Sequence, residues 1–324
     1  MLPAMSATSP SNPFYQIILD SLGLLTQNFV LTYPLLLFFL LLSVVVPSTE
    51  TPAMEARWFV LGFGIFLIHC AVMAGSYSMI SRGVCLHFER EERFEAVVKE
   101  KPESLDGGDI EIPNPFEDFV VLLREFFPGV SRFFLQFVLG TLIQALVLGV
   151  IYWWFSQALE NMGGYPALFR QLTDIQATTA GAESAKEVNL QAMMLALSPE
   201  EKAHLNQFTS LLLAAMSIYG VFYFLSIFWS AFIVLGQKPF WQAYLGSFKQ
   251  AFTRPVVLIG LAMLFIGLTL SLSLLAQLGS TMFIALWHFL NIMLNIYFAI
   301  VTVMIVASSG VRPVFAEQPD DDNG

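Results

Sequence analysis

The stretch that decides the fold runs from Val256 to Ala307 and reads VVLIGLAMLFIGLTLSLSLLAQLGSTMFIALWHFLNIMLNIYFAIVTVMIVA. It lies within an interval of 57 residues, between Arg254 and Arg312, that contains no Asp, Glu, Lys or Arg. A membrane-spanning helix needs about 20 predominantly apolar residues, because the hydrocarbon core of a bilayer is roughly 30 Å thick. The interval is therefore too long for one span. Its cluster of turn-forming residues, AQLGST at Ala276–Thr281, divides it into spans over 256–275 and 282–307.

Four further charge-poor intervals bring the predicted number of spans to six: residues 29–46, 58–81, 133–156 and 208–235. Aromatic residues near the predicted ends, Trp58, Tyr152 and Trp229, favour these boundaries, since Trp and Tyr are enriched at membrane interfaces. The composition agrees, because 12 % of the 324 residues are charged, whereas an average soluble domain carries roughly 25 %. The predicted fold is an all-α polytopic membrane protein, a single membrane domain over 1–316.

A short pattern, a polar residue followed by Pro-Phe, precedes each pair of spans, at Pro13, Pro115 and Pro239. Each copy begins a segment with helical periodicity, and Pro is favoured at the first helical position. We predict three units over about 12–82, 114–236 and 238–309, each an amphipathic helix lying in the membrane interface followed by a hairpin of two spans. The alternative is coincidence among similar membrane-entry helices. The predicted points where the chain turns into the membrane are Tyr33-Pro34, Pro128-Gly129 and Arg254-Pro255.

The two later segments each carry an apolar stripe at helical spacing. In the second copy the stripe is predicted to comprise Phe116, Phe119, Val120, Leu123, Phe126 and Phe127, opposite Glu117, Asp118, Arg124 and Glu125. In the third copy it is predicted to comprise Phe240, Tyr244, Phe248 and Phe252, with Lys249 and Gln250 polar. Asn12 and Asn114 are suitable N-caps, whereas Lys238 departs from the pattern.

Lys and Arg set the predicted orientation. Eleven of the 15 basic residues fall on the side that carries all three Pro-Phe segments, and four fall on the other side. Both termini are therefore predicted to be cytoplasmic. The formal net charge of −10 argues against a nucleic-acid partner, which requires a basic surface.

The sequence also predicts local structure in the segments outside the spans. FEREERFEAVVKEK is predicted to continue the second span as a helix into the cytoplasm, followed by an acidic linker. SPEEKAHL predicts a helix start with Ser198 as cap and Glu201 three residues on. Residues 317–324 are predicted to be an acidic disordered tail.

The search for chemistry predicts no catalytic, metal-binding or cofactor-binding residues. The best polar group lies in the sixth span, where His288, Asn291 and Asn295 share one helix face. Polar side chains in hydrocarbon usually face a bundle interior, so the three residues suggest a substrate or ion pathway. The alternative is interhelical hydrogen bonding, with Gln144 and His69 as candidate partners.

Small residues predict close helix contacts in two spans. Ala71, Gly75 and, near them, Ser78 mark one face of the second span, and Gly260 and Gly267 mark one face of the fifth. Such residues allow helix backbones to approach one another in a membrane. We therefore expect a compact helical bundle.

With its three Pro-Phe segments and hairpins, the chain resembles a group of uncharacterised bacterial six-span membrane proteins. This group includes the membrane domain attached to some glycerophosphoryl diester phosphodiesterases. The resemblance covers nearly the whole chain and implies a multi-pass protein of the bacterial inner membrane. No catalytic residue is carried over, and the soluble phosphodiesterase domain has no counterpart here.

Two functions of different classes follow from these features. The first is a non-enzymatic scaffold or accessory membrane subunit, with the lipid bilayer and another membrane or cytoplasmic protein as partners. The second is a transporter or permease for a small or lipidic solute, based on the predicted repeats and the polar face of the sixth span. An enzymatic role ranks third.

Overall fold

A computed structural model describes residues 13–45, 56–100, 115–166, 197–276 and 281–311. Within these ranges every regular element is a helix. In chain order they are α1 (Pro13–Gln27), a 3-10 helix (Phe29–Thr32), α2 (Tyr33–Val45), α3 (Ala56–Glu100), α4 (Pro115–Arg124), α5 (Phe126–Asn161), α6 (Pro199–Ser226), α7 (Trp229–Gly236), α8 (Phe240–Thr253), α9 (Pro255–Ala276) and α10 (Thr281–Ala307). The predicted acidic linker and the tail 317–324 lie outside the described residues.

Among the described residues, five helical stretches are long and apolar enough to cross a membrane: Val60–Arg90, Asp118–Asn161, Pro199–Gly236, Pro255–Leu274 and Leu286–Ala307. A sixth exists if the bent pair Phe14–Gln27 and Phe29–Leu42 counts as one span. Each stretch encloses or largely overlaps one of the predicted spans. The predicted class, an all-α polytopic membrane protein, is confirmed.

The first predicted turn lies earlier in the chain than Tyr33-Pro34. The bend between the two helices of the first pair is 88°, and it occurs at Asn28. The side-chain amide of Asn28 donates a hydrogen bond to the carbonyl of Leu24 (3.2 Å), as its backbone N–H also does (3.0 Å). Pro34 is the second residue of α2, where its missing N–H costs no helical hydrogen bond.

The second predicted turn, at Pro128-Gly129, is wrong, and the third is confirmed. The break between α4 and α5 lies at Glu125, and Pro128 falls in the first turn of α5, where Pro is tolerated. The backbone N–H of Gly129 already donates to the carbonyl of Glu125 (3.0 Å), so the helix continues through this site. At the third site, α8 ends at Thr253 and α9 begins at Pro255.

Three expectations about individual helices can be compared with the structure. The predicted extension of the second span is confirmed, because α3 runs without interruption for 45 residues. The predicted helix start is also confirmed: the backbone N–H of Ser198 donates to the Glu201 carboxylate (2.8 Å), and the backbone N–H of Glu201 donates to Ser198 Oγ (3.2 Å). The fourth predicted span, 208–235, lies within the apolar stretch Pro199–Gly236, and this stretch contains a helix break between α6 and α7 that was not predicted.

The chain divides into two compact units, one formed by Met1–Thr141 with Phe224–Gly324 and the other by Leu142–Tyr223. In the larger unit α10 is central and packs against α1, α3, α7 and α9. In the most apolar stretch of α10, 72 % of the residues are buried, whereas in that of α9 the buried share is 6 %. Helix α9 is therefore peripheral. The predicted division into units 12–82, 114–236 and 238–309 stays a prediction.

The smaller unit has its own aromatic contacts. Phe208 on α6 is buried and lies edge-on to Phe155 of α5, with ring centroids 6.1 Å apart. Tyr165, just beyond α5, also contacts Phe208, at 6.0 Å. Tyr152, Trp153 and Trp154 are exposed, as expected for aromatic residues at a membrane interface.

Candidate functional site

The predicted polar face of the sixth span lies on the first half of α10. His288 and Asn295 are exposed, and Asn291 is partly buried. The Asn295 side-chain amide donates a hydrogen bond to the backbone carbonyl of Asn291 (2.8 Å), so it binds its own helix. The His288 ring packs edge-on against Trp287, with centroids 4.6 Å apart. The structure therefore places the three residues on one side of α10 without a hydrogen bond that joins their side chains.

The two suggested partners of this face have other surroundings. His69 on α3 is partly buried and packs against the ring of Phe38 on α2, with centroids 5.5 Å apart. Gln144 is a partly buried residue of α5 in the smaller unit. Further along α10 the same face is closed, because Thr302 is buried and its hydroxyl donates to the carbonyl of Ala299 (2.8 Å).

A second polar arrangement fastens α8 to the core, and the sequence did not reveal it. The N-cap position of α8, Pro239, makes no side-chain capping bond. Instead Gln136 Oε1 of α5 accepts a hydrogen bond from the backbone N–H of Phe240 (2.8 Å). One turn on, the Tyr244 hydroxyl donates to the backbone carbonyl of Gly140 (2.9 Å). Helix α8 is thus held at its first two turns by side-chain contacts with α5.

Ser247 of α8 fills the break between α6 and α7. Its hydroxyl donates to the carbonyl of Leu225 (2.8 Å) and accepts from the backbone N–H of Phe228 (3.1 Å). These two groups would otherwise lack a partner, because the helix is interrupted there, and an unpaired buried backbone group costs about 1–3 kcal/mol. At the other end of α8, Gln250 Nε2 donates to Ser309 Oγ (2.8 Å), just beyond α10.

The inward face of α8 therefore consists of alanines and of side chains with a polar group, which corrects the predicted stripe. Tyr244 and Gln250 are both buried, although Tyr244 was assigned to the apolar side and Gln250 to the polar side. Phe252 is exposed, and Phe248 is partly buried. The buried residues of α8 are Ala243, Tyr244, Ser247, Gln250 and Ala251.

The outward surface of α8 has two stripes. Trp241, Leu245 and Phe252 are 52, 60 and 73 % exposed and project within about 40° of one another, since each helical residue advances about 100°. Gln242, Lys249 and Thr253 are also exposed and form a polar stripe roughly a quarter to a third of a turn away. Helix α8 thus has one face toward the core, one apolar outer face and one polar outer face.

Helix α1 repeats this arrangement. Five residues of α1 recur at the equivalent positions of α8, namely Pro13, Phe14, Gln16, Leu19 and Ser21 against Pro239, Phe240, Gln242, Leu245 and Ser247. Ser21 and Ser247 both have no exposed surface. The exposed apolar residues of α1, Tyr15, Leu19 and Leu22, fall at the positions of Trp241, Leu245 and the partly buried Phe248, whereas the exposed Thr26 falls at the position of Phe252. Gln16 and Gln27 are exposed on the polar stripe.

The inward side of α1 is also fixed by specific contacts. Ser21 Oγ lies 3.0 Å from the sulfur of Met304, and the carbonyl of Ile18 accepts a hydrogen bond from the Tyr297 hydroxyl (3.2 Å). Both partners belong to α10. Like α8, α1 therefore buries a polar side chain against the core and leaves a large apolar face outside.

Helix α4, which begins at the second Pro-Phe pair, departs from this pattern. Among the side chains that the structure describes in α4, Leu122 is the most buried, and it was outside the predicted stripe, whereas Leu123 and Phe127 of that stripe are exposed. Asp118, assigned to the polar side, is mostly buried and forms an ion pair with Arg90 of α3. Helix α4 therefore buries a different side from the predicted one.

Close contacts at small residues join α3, α5 and α7. A methyl carbon added at Gly75 would lie 2.4 Å from the Phe126 ring, and one added at Gly129 would lie 2.2 Å from Ser78 Cβ. At Gly140 it would lie 2.3 Å from Trp229 Cζ3. The predicted packing face of Gly75 and Ser78 is thus confirmed.

The other predicted small-residue face is only half confirmed. A methyl carbon at Gly260 would meet Phe14 at 2.9 Å, whereas at Gly267 nothing lies within 4 Å. Trp229, predicted at the membrane interface, is buried and stacks on Tyr244 with centroids 5.4 Å apart. An aromatic residue near the end of a span can lie at the membrane interface or in the protein interior. The position of Trp229 in the sequence therefore does not distinguish the two.

Two of the residues that the sequence analysis missed, Ser21 and Ser247, share a weak sequence pattern. Ser21 and Ser247 each follow the Pro of a Pro-Phe pair by eight residues. A single serine in an apolar helix is common, so only an alignment of the two segments would have revealed the correspondence. No sequence pattern points to Gln136, because Phe240, whose backbone N–H it binds, lies 104 residues away in the sequence. In the described ranges no three His, Cys, Asp or Glu side chains group as a metal site.

These features define the class of the protein: an all-α, multi-pass membrane protein whose larger unit carries two similar three-faced helices, α1 and α8. A scan against protein-family models, a search of curated proteins and a search of solved structures gave no match.

Proposed function

We propose that this protein is a non-enzymatic scaffold or accessory subunit of the bacterial inner membrane. In this proposal α1 and α8 lie in the cytoplasmic interface of the bilayer, and the acidic cytoplasmic segments bind a partner protein. The observation that carries the proposal is the shared three-faced arrangement of α1 and α8. A helix in an interface needs one face for protein, one for acyl chains and one for water.

The contacts of α8 support a positional role. Five hydrogen bonds that involve side chains fix its inward face to three other parts of the fold: Gln136 and Gly140 on α5, the α6–α7 break, and Ser309. The groups that these bonds join are buried or partly buried. A helix held in this way keeps its apolar face at a constant depth and orientation, which is what a scaffold requires.

The length of α3 supports a cytoplasmic partner site. Its 45 residues correspond to about 68 Å at 1.5 Å per residue, more than twice the roughly 30 Å of hydrocarbon. The end of the helix therefore extends beyond the bilayer. Between Arg82 and Glu125 the sequence contains twelve acidic and six basic residues, which favours a partner with a basic surface.

The partner prediction is tested by charge reversal. The tagged full chain is purified in mild detergent after in-cell crosslinking, with Glu89, Glu91, Glu92 and Glu95 replaced by Lys in the variant. We expect one protein to co-purify with the parent chain and not with the variant. The matched control replaces Glu200 by Lys, because that exposed residue lies on the opposite predicted side. A monodisperse chain with no bound protein, or capture that is equal in all three, contradicts the proposal.

Orientation is tested separately. Cysteines introduced as Gly107→Cys and Gly236→Cys are labelled with a membrane-impermeant thiol reagent in intact and opened cells. Both positions are expected to react only after opening, since both are predicted to be cytoplasmic. Labelling of the two positions from opposite sides of the membrane contradicts the predicted topology.

The second candidate is a transporter or permease for a small or lipidic solute. The specific observation in its favour is that His288 and Asn295 are exposed polar residues within the apolar stretch Leu286–Ala307. Asn291→Leu with Asn295→Leu is expected to abolish flux in proteoliposomes if this function is right. The fold should tolerate the change, because the Asn295 amide bonds only its own helix. Unchanged flux, or loss of the folded protein, favours a packing role.

A further inference from the structure

The outer faces of α1 and α8 specify the kind of lipid surface they fit. On both helices the apolar stripe is bulky and contains Tyr15, Leu19 and Leu22 in one case and Trp241, Leu245 and Phe252 in the other. The stripe of α8 leads toward α9, whose exposed residues Val256, Ile259 and Met263 belong to a span. This continuity with a lipid-facing surface indicates that acyl chains cover the outer apolar face of α8.

The polar stripes carry little charge. On α1 the stripe has Gln16, Gln27 and the partly buried Asp20, and on α8 it has Gln242, Lys249 and Thr253. Arg254, directly after α8, adds one exposed cation. Helices that bind anionic headgroups are rich in Lys and Arg on the polar face, whereas those that respond to lipid packing depend on apolar area. The stripes of α1 and α8 match the second kind.

In the predicted topology α1 and α8 insert into the same leaflet of the bilayer. In the predicted topology the first span is 29–46 and does not include α1, so four spans separate α1 from α8, and an even number of crossings returns the chain to the same side. A helix of 14 or 15 residues is about 21–23 Å long and, with side chains, about 10 Å wide, so each occupies roughly 200 Å². The two helices together insert about 400 Å² into one leaflet, and the described residues contain no separate interfacial helix on the other side of the predicted topology.

We infer that α1 and α8 make this protein prefer membranes whose cytoplasmic leaflet is convex and loosely packed, through apolar insertion and not through recognition of headgroup charge. A convex leaflet has gaps between headgroups, and bulky side chains held at constant depth fill those gaps. The inference rests on the proposed interfacial placement of α1 and α8. It adds the partner, which is the acyl-chain region of a curved leaflet.

The experiment uses the full chain carrying Gly236→Cys, reconstituted in giant vesicles of dioleoylphosphatidylcholine. An impermeant thiol dye applied outside labels only molecules whose Gly236→Cys side faces outward, because Cys70 and Cys85 are buried. Nanotubes are then pulled from the vesicles, and the dye-to-lipid ratio of the tube is divided by that of the vesicle. We expect this quotient, which measures enrichment of the protein in the tube, to exceed one for the parent chain.

The test variant carries Trp241→Ser, Leu245→Ser and Phe252→Ser, which change only exposed side chains. Enrichment in the tube is expected to be lost or strongly reduced. The matched control carries Gln242→Ala and Thr253→Ala, exposed positions of the same helix, and should enrich as the parent does. Unchanged gel-filtration profiles confirm that all three chains are folded. Equal enrichment of the parent and the serine variant overturns the inference.

Two further arms separate the possible failures. Replacing part of the lipid by dioleoylphosphatidylglycerol should leave the quotient unchanged, and a strong rise would show headgroup recognition instead. Lipids brominated near the top of the acyl chain should quench the fluorescence of Trp241, measured as the difference between the parent and Trp241→Phe. Quenching without enrichment refutes the inference and leaves the interfacial placement intact. Absence of quenching refutes both.

Discussion

Replacing Gly140 by alanine is expected to destabilise the fold by about 2 kcal/mol. The added carbon would lie 2.3 Å from Trp229 Cζ3, far inside van der Waals contact. Trp229 has little room to move, because it stacks on Tyr244 at 5.4 Å and contacts Phe137 at 5.2 Å. Overpacking of this kind typically costs 1–3 kcal/mol, so we take about 2 kcal/mol. Separating the helices would also weaken the bond from the Tyr244 hydroxyl to Gly140, worth about 1 kcal/mol.

One term opposes this loss. Alanine is favoured over glycine within a helix by roughly 0.5–1 kcal/mol, which offsets the weakened hydrogen bond and leaves a net cost of about 2 kcal/mol. The matched control is Gly149→Ala on the same helix, where nothing lies within 4 Å of the added carbon. The control has the helix-propensity gain alone, so it should be neutral or slightly stabilising.

The assay is reversible unfolding in mixed micelles of dodecylmaltoside and SDS, followed by circular dichroism. Gly140→Ala should unfold at a lower SDS fraction than the parent chain, and Gly149→Ala at the same or a higher fraction. If both variants unfold together, the Gly140–Trp229 contact does not restrict the packing of α5 and the reasoning fails.

The remaining predictions concern side-chain bonds. Ser247→Ala should cost about 1–3 kcal/mol in the same assay, because it leaves two backbone groups at a helix break without their partner; Ser271→Ala, which loses only a bond to its own helix, should be neutral. Ser198→Ala should lower the free energy of unfolding by about 1 kcal/mol and speed hydrogen exchange in the first turn of α6. Slower exchange would contradict the capping role of Ser198. In a double-mutant cycle, Arg90→Ala and Asp118→Ala should show a coupling of about 0.5–1 kcal/mol that falls with added salt, and a zero value would exclude a stabilising ion pair.

Much of the fold could be predicted because a bilayer acts on each stretch of chain separately. Its thickness and its exclusion of charge located the spans, including the division of the charge-free interval between Arg254 and Arg312. The start of α6 at Pro199 and the break at Arg254 depend on residues that are adjacent in sequence, and they were predicted correctly. For the candidate site, the sequence placed His288 and Asn295 on one helix face, but it did not show that their side chains are exposed.

Only the tertiary structure decided which face of each helix points inward. In water an apolar side chain indicates the core, but in a membrane it is equally stable against lipid or protein, so the pattern of Phe and Leu leaves the orientation open. The inward face of α8 is marked instead by Tyr244, Ser247 and Gln250, whose partners are distant in sequence. The burial of Trp229 against Gly140 has the same origin. The sequence by itself determined which segments enter the membrane, and long-range hydrogen bonds and glycine contacts determined how those segments face one another.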